Sequence, residues 1–275
     1  MKTRLAKFIA DSGFASRREA EKLITDGVVS VNGKEIDTPV FFVEQGDKVT
    51  INGISIRNAE YGQRNTKVYA FHKPVDTMTT ARDPNGRTTI YDVLPEKYRN
   101  LKYIGRLDYK TTGLLLLTDD GALARELTLP ASGIRRTYIA KLRPESGVGN
   151  RESGVVNKSK SRLPTPDSRS AARRVREFLS PLSADDSIFD PLRHGVTIGG
   201  MKYAPMEIEM LSRYPLTVKI ILTEGKKNEI RIAFDYIGLP VSKLRRIAYG
   251  SIEIGNLPPG GIRELSENEI KSLKS

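Results

Sequence analysis

Ile104-Gly-Arg-Leu-Asp108-Tyr-Lys-Thr-Thr-Gly113-Leu-Leu-Leu-Leu117-Thr-Asp-Asp-Gly121 is the stretch of sequence that best defines the fold. Its four consecutive leucines are too few to cross a membrane, and turn-forming residues bound them on both sides. A short apolar run of this kind is typical of a strand buried on both faces of a sheet. Leu101 to Ile104 predicts a second short strand, so the residues between the two strands should form a loop.

This loop combines one carboxylate, Asp108, with two cations and two hydroxyl groups, which are Arg106, Lys110, Thr111 and Thr112. Polar groups presented on a loop that buried strands hold in place can form a catalytic site. Spacing alone favours the alternative, a polar hairpin loop with solvated charges, because such loops are common. The aspartates after the leucines, Asp119 and Asp120, are expected to cap a helix that runs from Gly121 to Thr128.

The composition limits the classes of function. The chain has 275 residues, a net charge of +12, no cysteine and two histidines. The absence of cysteine excludes disulfides and thiolate zinc sites and predicts a reducing, cytoplasmic location. The histidines, His72 and His194, are too few for a histidine metal centre, and we expect no metal. A basic chain without a basic amphipathic helix or a long apolar run is expected to bind nucleic acid rather than a membrane.

The first sixty residues predict a small domain of two helices and a sheet. Leu5, Phe8 and Ile9 have helical spacing, and Ser16 and Glu19 form a capping box for a second helix. The dipeptide Asn32-Gly33 between apolar residues predicts a β-hairpin with a type I′ turn. Residues 46–53 predict a further strand and turn, and the polar residues 58–66 predict a linker.

This region resembles the S-four RNA-binding domain, through S-R-R-E-A-E-K-L-I at residues 16–24 and G-V-V-S-V-N-G-K at residues 27–34. In that family the helix start and the hairpin face RNA. The resemblance therefore implies phosphate contacts by six basic residues, Arg4, Lys7, Arg17, Arg18, Lys22 and Lys34. Residues 1–60 hold nine basic and nine acidic side chains, so a solvated helix face is the alternative.

The opening stretch resembles the catalytic motif of the RsuA/RluB-type pseudouridine synthases of bacterial ribosomal RNA, through G-R-L-D and T-T-G-L-L-L-L-T-D-D-G. The resemblance implies that Asp108 is the catalytic residue and that Arg106 contacts the substrate. Lys73-Pro74 after a predicted strand matches another block of this family. The family usually has glycine two positions after the proline, where this chain has Asp76, and we expect this difference to reshape the turn.

Two later segments extend the resemblance. Arg135-Arg136-Thr137-Tyr138 matches the family's tyrosine strand, which implies that Tyr138 stacks on the target uracil; a tyrosine of the core or of the strand face is the alternative. We expect the two arginines to contact RNA. In residues 225–231 the family pattern implies that Arg231 pairs with the catalytic aspartate, that Ile230 lies beneath the base and that Lys226 contacts RNA. Asn228 and Glu229 depart from that pattern, which usually has glutamine where Glu229 stands. Residues 239–247 predict a strand along the RNA groove, with Lys243, Arg245 and Arg246 as contacts.

Between these segments lies a basic insertion, residues 144–187, about thirty residues longer than the usual family connection. Residues 135–176 contain twelve basic and three acidic side chains. A flexible basic segment can hold RNA by charge alone, or it can be a solvated loop without a special role. Residues 171–179 have the composition of a short basic helix.

These observations predict an α+β protein. Residues 1–60 should form an S-four-like RNA-binding domain, and residues 61–275 a mixed, mainly antiparallel pseudouridine synthase domain. The resemblance implies isomerisation of a specific uridine in ribosomal RNA, after base flipping, by a cytoplasmic monomer without a cofactor. Its partner would be ribosomal RNA or a ribosomal assembly intermediate, and the shared motifs do not distinguish the two subunits. The departures Asp76, Asn228 and Glu229 leave open a non-catalytic RNA-binding assembly factor that retains the fold.

Overall fold

The computed structural model describes residues 2–12, 14–15, 17–56, 66–143, 173–175, 177–179 and 185–274. The chain divides into two compact units, Met1–Thr66 and Lys67–Ser275. Ser16 of the predicted capping box, most of the predicted linker and most of the insertion lie outside the described residues.

The first unit combines two helices with short strands. Its elements are β1 Thr3–Arg4, α1 Leu5–Asp11, α2 Arg17–Thr25, β2 Val29–Val31, β3 Lys34–Glu35, β4 Phe42–Val43, β5 Val49–Ile51 and β6 Ile54–Ile56. Strands β3, β2, β5 and β6 form one antiparallel sheet in that order, and β1 pairs with β4. Asn32 and Gly33 have φ of 53° and 82°, which confirms the predicted hairpin turn. Both helices bury an apolar face, including Leu5, Ile9 and Ile24, in the core of this unit.

The second unit contains one large sheet with helices. Its elements are β7 Val68–Lys73, α3 Ile90–Val93, β8 Lys102–Ile104, β9 Thr111–Thr118, α4 Gly121–Thr128, β10 Arg136–Leu142, α5 Asp190–Arg193, β11 Val196–Ile198, β12 Met201–Tyr203, β13 Glu207–Arg213, β14 Leu216–Leu222, α6 Glu229–Tyr236, β15 Val241–Tyr249, β16 Ile252–Glu253, β17 Ile262–Glu264 and α7 Glu267–Lys274. Within the described ranges, no helix is long and apolar enough to cross a bilayer.

The sheet of this unit has nine strands. Seven follow the order β13-β14-β10-β15-β9-β7-β17, while β16 adds to β15 and β8 adds to β9. The pairing of β15 with β9 is parallel, and the other pairings in this sheet are antiparallel. The predicted mixed, mainly antiparallel α+β fold is therefore confirmed.

Strand β9 separates two hydrophobic cores. Leu115 and Leu117 pack into one core, and Leu114 and Leu116 pack into the other on the opposite face. Because successive side chains of a strand point to opposite faces, only a strand covered on both sides can bury four leucines in a row. The predicted strand buried on both faces is confirmed. Because both faces of β9 are packed into hydrophobic cores, the loop that precedes this strand is held in place.

The two aspartates that were predicted to cap α4 have different roles in the structure. Asp120 caps α4, because its Oδ1 accepts hydrogen bonds from the backbone N–H groups of Ala122 and Leu123 at 2.8 and 3.1 Å. Asp119 instead accepts a hydrogen bond from the backbone N–H of Lys67 at 3.1 Å. Asp120 is therefore the cap, and Asp119 joins the helix start to the beginning of β7.

The end of the basic insertion packs into the larger core. Residues 173–175 and 177–178 are helical, and Val175 and Phe178 are buried there. The Phe178 ring lies 5.4 Å from the Phe189 ring, and Arg213 donates a hydrogen bond to the Phe178 carbonyl at 2.7 Å. This part of the insertion therefore belongs to the folded body of the second unit.

Candidate active site

The loop between β8 and β9 is held by its backbone. Leu107 is buried, and the Thr79 hydroxyl both donates to its carbonyl at 2.9 Å and accepts from its N–H at 3.3 Å. The Thr111 N–H donates to the Asp108 carbonyl at 2.9 Å and closes a turn. Because these contacts use the main chain, the half-buried side chain of Asp108 remains directed into the adjoining cleft.

Lys73 stabilises the same loop through hydrogen bonds to backbone carbonyls. Its buried ammonium group donates hydrogen bonds to the carbonyls of Pro74, Thr111 and Tyr109 at 2.9, 2.8 and 3.5 Å. Burial lowers the pKa of Lys73 to about 8, and the carboxylates of Asp76 and Asp108 partly oppose this lowering. The Lys-Pro dipeptide therefore has a structural role beneath the candidate catalytic loop.

Asp76 adopts the conformation that glycine usually supplies. Its φ is 60°, in the left-handed region, and its N–H donates to the Tyr109 carbonyl at 3.0 Å. Its carboxylate pairs with Lys110 at 2.6 Å. Because aspartate tolerates left-handed backbone better than most residues, this departure from the family pattern fits the turn and adds a side-chain contact to the loop.

A cleft of about 690 Å³ opens beside this loop. It brings together eight residues that the sequence predicted for the site, which are Arg106, Asp108, Arg136, Tyr138, Lys226, Ile230, Arg231 and Arg246. Six lysine and arginine side chains line it, against the three acids Asp108, Glu224 and Glu229. The cleft is therefore basic, which suits a polyanionic ligand.

Tyr138 lies on β10 in the middle of the sheet. Its Cα is paired with that of Ile220 on one side and that of Arg246 on the other. Tyr138 is 8% exposed and belongs to the hydrophobic core, yet it also lines the cleft. The ring is therefore held rigidly at the boundary between the core and the cleft.

Arg231 reaches the loop of Asp108 but binds its backbone. Its two guanidinium hydrogen bonds go to the carbonyls of Val241 and Lys110, each at 3.0 Å, rather than to the predicted carboxylate partner. Burial lowers the pKa of Arg231, and the nearby Asp108 carboxylate partly offsets this effect. The interaction with Asp108 is thus electrostatic at longer range, while the hydrogen bonds join the loop to β15.

Arg136 and Arg246, both predicted to contact RNA, are buried, at 7% and 1% exposure. Arg136 donates to the carbonyls of Thr223 and Glu224, and the Nε of Arg246 donates to the Leu114 carbonyl at 2.7 Å. Each guanidinium also lies about 5 Å from the Tyr249 ring. The two arginines therefore form part of the inner wall of the cleft.

Two carboxyl groups at the cleft wall were not recognised from the sequence as a pair. Burial raises the pKa of Glu229 to about 7, and its carboxyl group accepts the backbone N–H of Lys226 at 3.0 Å. Although burial opposes it, the Lys226 ammonium group at 2.6 Å lowers the pKa of neighbouring Glu224. The pair therefore holds a proton near neutral pH, chiefly on Glu229. Within the described ranges, no three His, Cys, Asp or Glu side chains are placed to hold a metal ion.

The remaining predicted RNA contacts lie outside this cleft. In the second unit Lys243 and Arg245 are exposed, and Arg135 is exposed and paired with Glu207 at 2.7 Å. In the first unit Lys7 is half-buried and paired with Asp11 at 2.7 Å. The other five basic residues predicted there are exposed, which are Arg4, Arg17, Arg18, Lys22 and Lys34.

Comparison with known proteins places this geometry in a family. Residues 67–236 match the RNA pseudouridylate synthase family, and residues 3–49 match the S4 domain. An uncharacterised RNA pseudouridine synthase of Rickettsia prowazekii is 34% identical, over 98% of this chain and 96% of that protein. The ribosomal large subunit pseudouridine synthase B of Bacillus subtilis is 31% identical, over 99% of this chain and 96% of that protein.

A solved structure supports the same fold. The crystal structure of a pseudouridylate synthase has a TM-score of 0.60 and 23% sequence identity, and the match covers 98% of this chain and 99% of that chain. At this level of identity the similarity concerns the fold, whereas the sequence matches define the family. The chain therefore belongs to the RNA pseudouridine synthase family of isomerases and carries an S4 domain in front of its catalytic unit.

Proposed function

We propose that this enzyme converts a specific uridine of ribosomal RNA into pseudouridine, with Asp108 as the catalytic residue. The observation that carries this proposal is the cleft in which Asp108, Tyr138 and Arg231 meet, although they are far apart in sequence. The relative from Bacillus subtilis, named for the large ribosomal subunit, supports ribosomal RNA as the substrate class.

The reaction is an isomerisation, so atoms and charge balance within the nucleotide. The bond between N1 of uracil and C1′ of the ribose breaks, the base rotates, and C5 of uracil bonds to C1′. The proton on C5 leaves and N1 ends with a proton, so no redox partner or group donor is needed. Asp108 is the carboxylate on the rigid loop beside the cleft, and it would either bond to the nucleotide or remove a sugar proton.

The target base has to leave the RNA stack to reach Asp108. Extruding it costs a few kcal/mol, and an aromatic face returns about 1–3 kcal/mol of stacking. Tyr138 is the tyrosine held at the cleft boundary, and Ile230 offers an apolar contact in the same cleft. Arg231 keeps the Asp108 loop attached to β15 through the Lys110 and Val241 carbonyls, and contributes positive charge near the carboxylate.

RNA affinity would come from the basic surfaces of the two units. In the second unit, the exposed residues Lys243 and Arg245 lie on the same strand as Leu244 and Arg246 of the cleft. In the first unit, the S4 domain supplies a separate set of exposed cations. We propose that the enzyme acts on this substrate in the cytoplasm as a monomer.

The test is a pseudouridine map. The full chain is incubated with transcripts of both ribosomal RNAs and with ribosomal particles, and new pseudouridines are located by sequencing after chemical labelling. Wild type should create a defined site, and Asp108→Asn should create none while binding the same RNA. Asp119→Asn is the matched control, because Asp119 is exposed outside the cleft, and it should retain activity.

Two outcomes would contradict the proposal. Pseudouridine formed by Asp108→Asn at the wild-type rate would refute the role of the aspartate. A wild-type protein that binds but never modifies either ribosomal RNA, free or in particles, would refute ribosomal RNA as the substrate.

A further inference from the structure

Buried polar atoms without a partner are concentrated in the cleft. Among the described residues, four buried side-chain atoms lack a hydrogen bond, and they belong to Thr111, Arg213, Arg231 and Arg246. Three of these residues, all except Arg213, line the cleft. Native proteins leave few buried polar groups unsatisfied, so such a concentration calls for a physical reason.

Thr111 and Arg246 are the two of these three that are almost fully buried, at 2% and 1% exposure. Their unpartnered atoms are the hydroxyl Oγ1 of Thr111 and the Nη2 of Arg246. Leaving such an atom unsatisfied destabilises the folded protein, and a charged group more than a neutral one. A group kept at this cost is expected to find its partner in a bound ligand.

The sheet register places both residues beside Tyr138. Arg246 on β15 is the Cα partner of Tyr138 on β10. On the other side of β15, Thr111 of β9 pairs with Leu244, two residues before Arg246. Because residues two apart on a strand share a face, the two orphaned groups lie on the face of the sheet that carries the Tyr138 ring.

The guanidinium of Arg246 is oriented by its other contacts. Its Nε donates to the Leu114 carbonyl at 2.7 Å, and its Cζ lies 5.1 Å from the centroid of the Tyr249 ring. These two contacts fix the side chain and leave Nη2 as a preorganised donor. The Thr111 hydroxyl rotates about one bond and can donate as well.

We propose that Thr111 and Arg246 form a subsite that binds an acceptor oxygen of the target nucleotide. The inference rests on the proposed function, because that function supplies a uridine to the cleft. A base stacked on Tyr138 would have its edge beside Arg246, where a uracil carbonyl is a suitable acceptor. A phosphate oxygen of the same nucleotide offers the same chemistry, so the test has to distinguish these two sources. Both residues act by positioning the nucleotide rather than by reacting with it.

The decisive variant is Thr111→Val, because valine has nearly the shape of threonine and lacks the unpartnered hydroxyl. A structural threonine would lose stability on this change, whereas an orphaned hydroxyl should not. We therefore expect an unchanged or higher midpoint of thermal unfolding together with weaker nucleotide binding. Thr111→Ser keeps the hydroxyl and should retain binding. Thr137→Val is the matched control, because Thr137 lies on the same sheet outside the cleft.

The binding probe is uridine 5′-monophosphate, titrated into the full-length protein and followed by NMR, which requires no turnover. The Thr111→Val change should weaken its affinity about 5- to 10-fold, as loss of one hydrogen bond does. Arg246→Lys, which keeps the charge but loses the fixed second donor, should weaken it about tenfold or more. The same variants should lower kcat/KM on ribosomal RNA by similar factors.

Titrations with uridine, which lacks the phosphate, and with ribose 5-phosphate, which lacks the base, distinguish a uracil carbonyl from a phosphate oxygen as the group bound. Losses seen with uridine but not with ribose 5-phosphate assign the subsite to the base, and the reverse assigns it to the phosphate. Either result supports the subsite.

Wild-type affinity in both Thr111→Val and Arg246→Lys overturns the subsite, as does a wild-type protein without saturable binding. A clear loss of stability in Thr111→Val also overturns it. None of these outcomes bears on the pseudouridine map, which alone decides the proposed reaction.

Discussion

Replacing Glu229 by glutamine should flatten the pH dependence of stability, because this carboxyl group is buried beside Glu224. Glutamine keeps an oxygen that can accept the N–H of Lys226, which the carboxyl group now binds at 3.0 Å. It has nearly the same volume and cannot ionise. The substitution therefore removes the titration while it leaves the start of α6 in place.

The magnitude follows from the shift of the Glu229 pKa, from 4.5 to about 7, which burial causes. A carboxyl group whose pKa is raised in the folded state favours folding at low pH, and this advantage is lost as pH rises from 4.5 to about 7. Each unit corresponds to about 1.4 kcal/mol, so the full loss approaches about 3 kcal/mol. Between about pH 5.5 and about pH 8, wild type should lose about 2 kcal/mol through this group.

The assay is urea unfolding followed by circular dichroism at several pH values across this range. Wild type should lose stability as pH rises, and Glu229→Gln should lose about 2 kcal/mol less. Glu253→Gln, an exposed acid on β16, is the control and should follow wild type. If Glu229→Gln and wild type lose the same free energy of unfolding between about pH 5.5 and about pH 8, the titration of a buried Glu229 does not cause the pH dependence of stability.

Two further substitutions test the framework around the cleft. Gly113→Ala should cost about 3 kcal/mol or more, since a Cβ there would lie 2.2 Å from the Arg246 carbonyl oxygen at a φ of +112°. Gly86→Ala, at φ +69° with no atom within 4 Å, should cost only about 1 kcal/mol, and equal losses in the two variants would contradict the close approach of β9 and β15. Asp120→Ala should cost about 1 kcal/mol in thermal unfolding by removing the cap of α4, whereas Asp120→Asn should lie near wild type. An Asp120→Ala protein as stable as wild type would contradict the capping role.

Local rules were sufficient for much of the fold. Asn32-Gly33 has a backbone preference for one turn type, and the leucines of β9 could only be buried on both faces of a sheet. The sequence limited the residue that caps α4 to one of two adjacent aspartates, Asp119 or Asp120. In each case the information lies within a few neighbouring residues, so no knowledge of distant contacts was needed.

The burial of Arg136 and Arg246 was not predicted from the sequence. Both were predicted to contact RNA, Arg136 beside the tyrosine of its strand and Arg246 on a basic strand along the RNA groove. However, each occupies the inward position of its strand by period-two alternation, Arg136 with Tyr138 and Ala140, and Arg246 with Leu244. The alternation therefore contained the signal for burial. The sequence does not show which backbone carbonyls accept hydrogen bonds from the buried guanidinium groups, or that the Tyr249 ring packs beside them.

Hydrogen-bond partners that depend on the tertiary structure also could not be predicted from the sequence. The resemblance implied that Arg231 pairs with Asp108, but its hydrogen bonds go to the carbonyls of Lys110 and Val241. Glu224 and Glu229 are five positions apart, and nothing in their spacing indicates that the carboxyl group of Glu229, at the first residue of α6, is buried. Such details depend on how β14, α6 and β15 meet.

The parallel pairing of β9 with β15 has a consequence for how the enzyme is made. Thr111 and its partner Leu244 are about 130 residues apart, and long-range pairing of this kind is slow to form. At a synthesis rate of about 5–20 residues per second, the Asp108 loop leaves the ribosome roughly 7 to 27 seconds before β15 is available to complete the cleft. During that interval the nascent chain carries the candidate catalytic loop without Arg231 and Arg246, so the cleft remains incomplete until β15 has been translated.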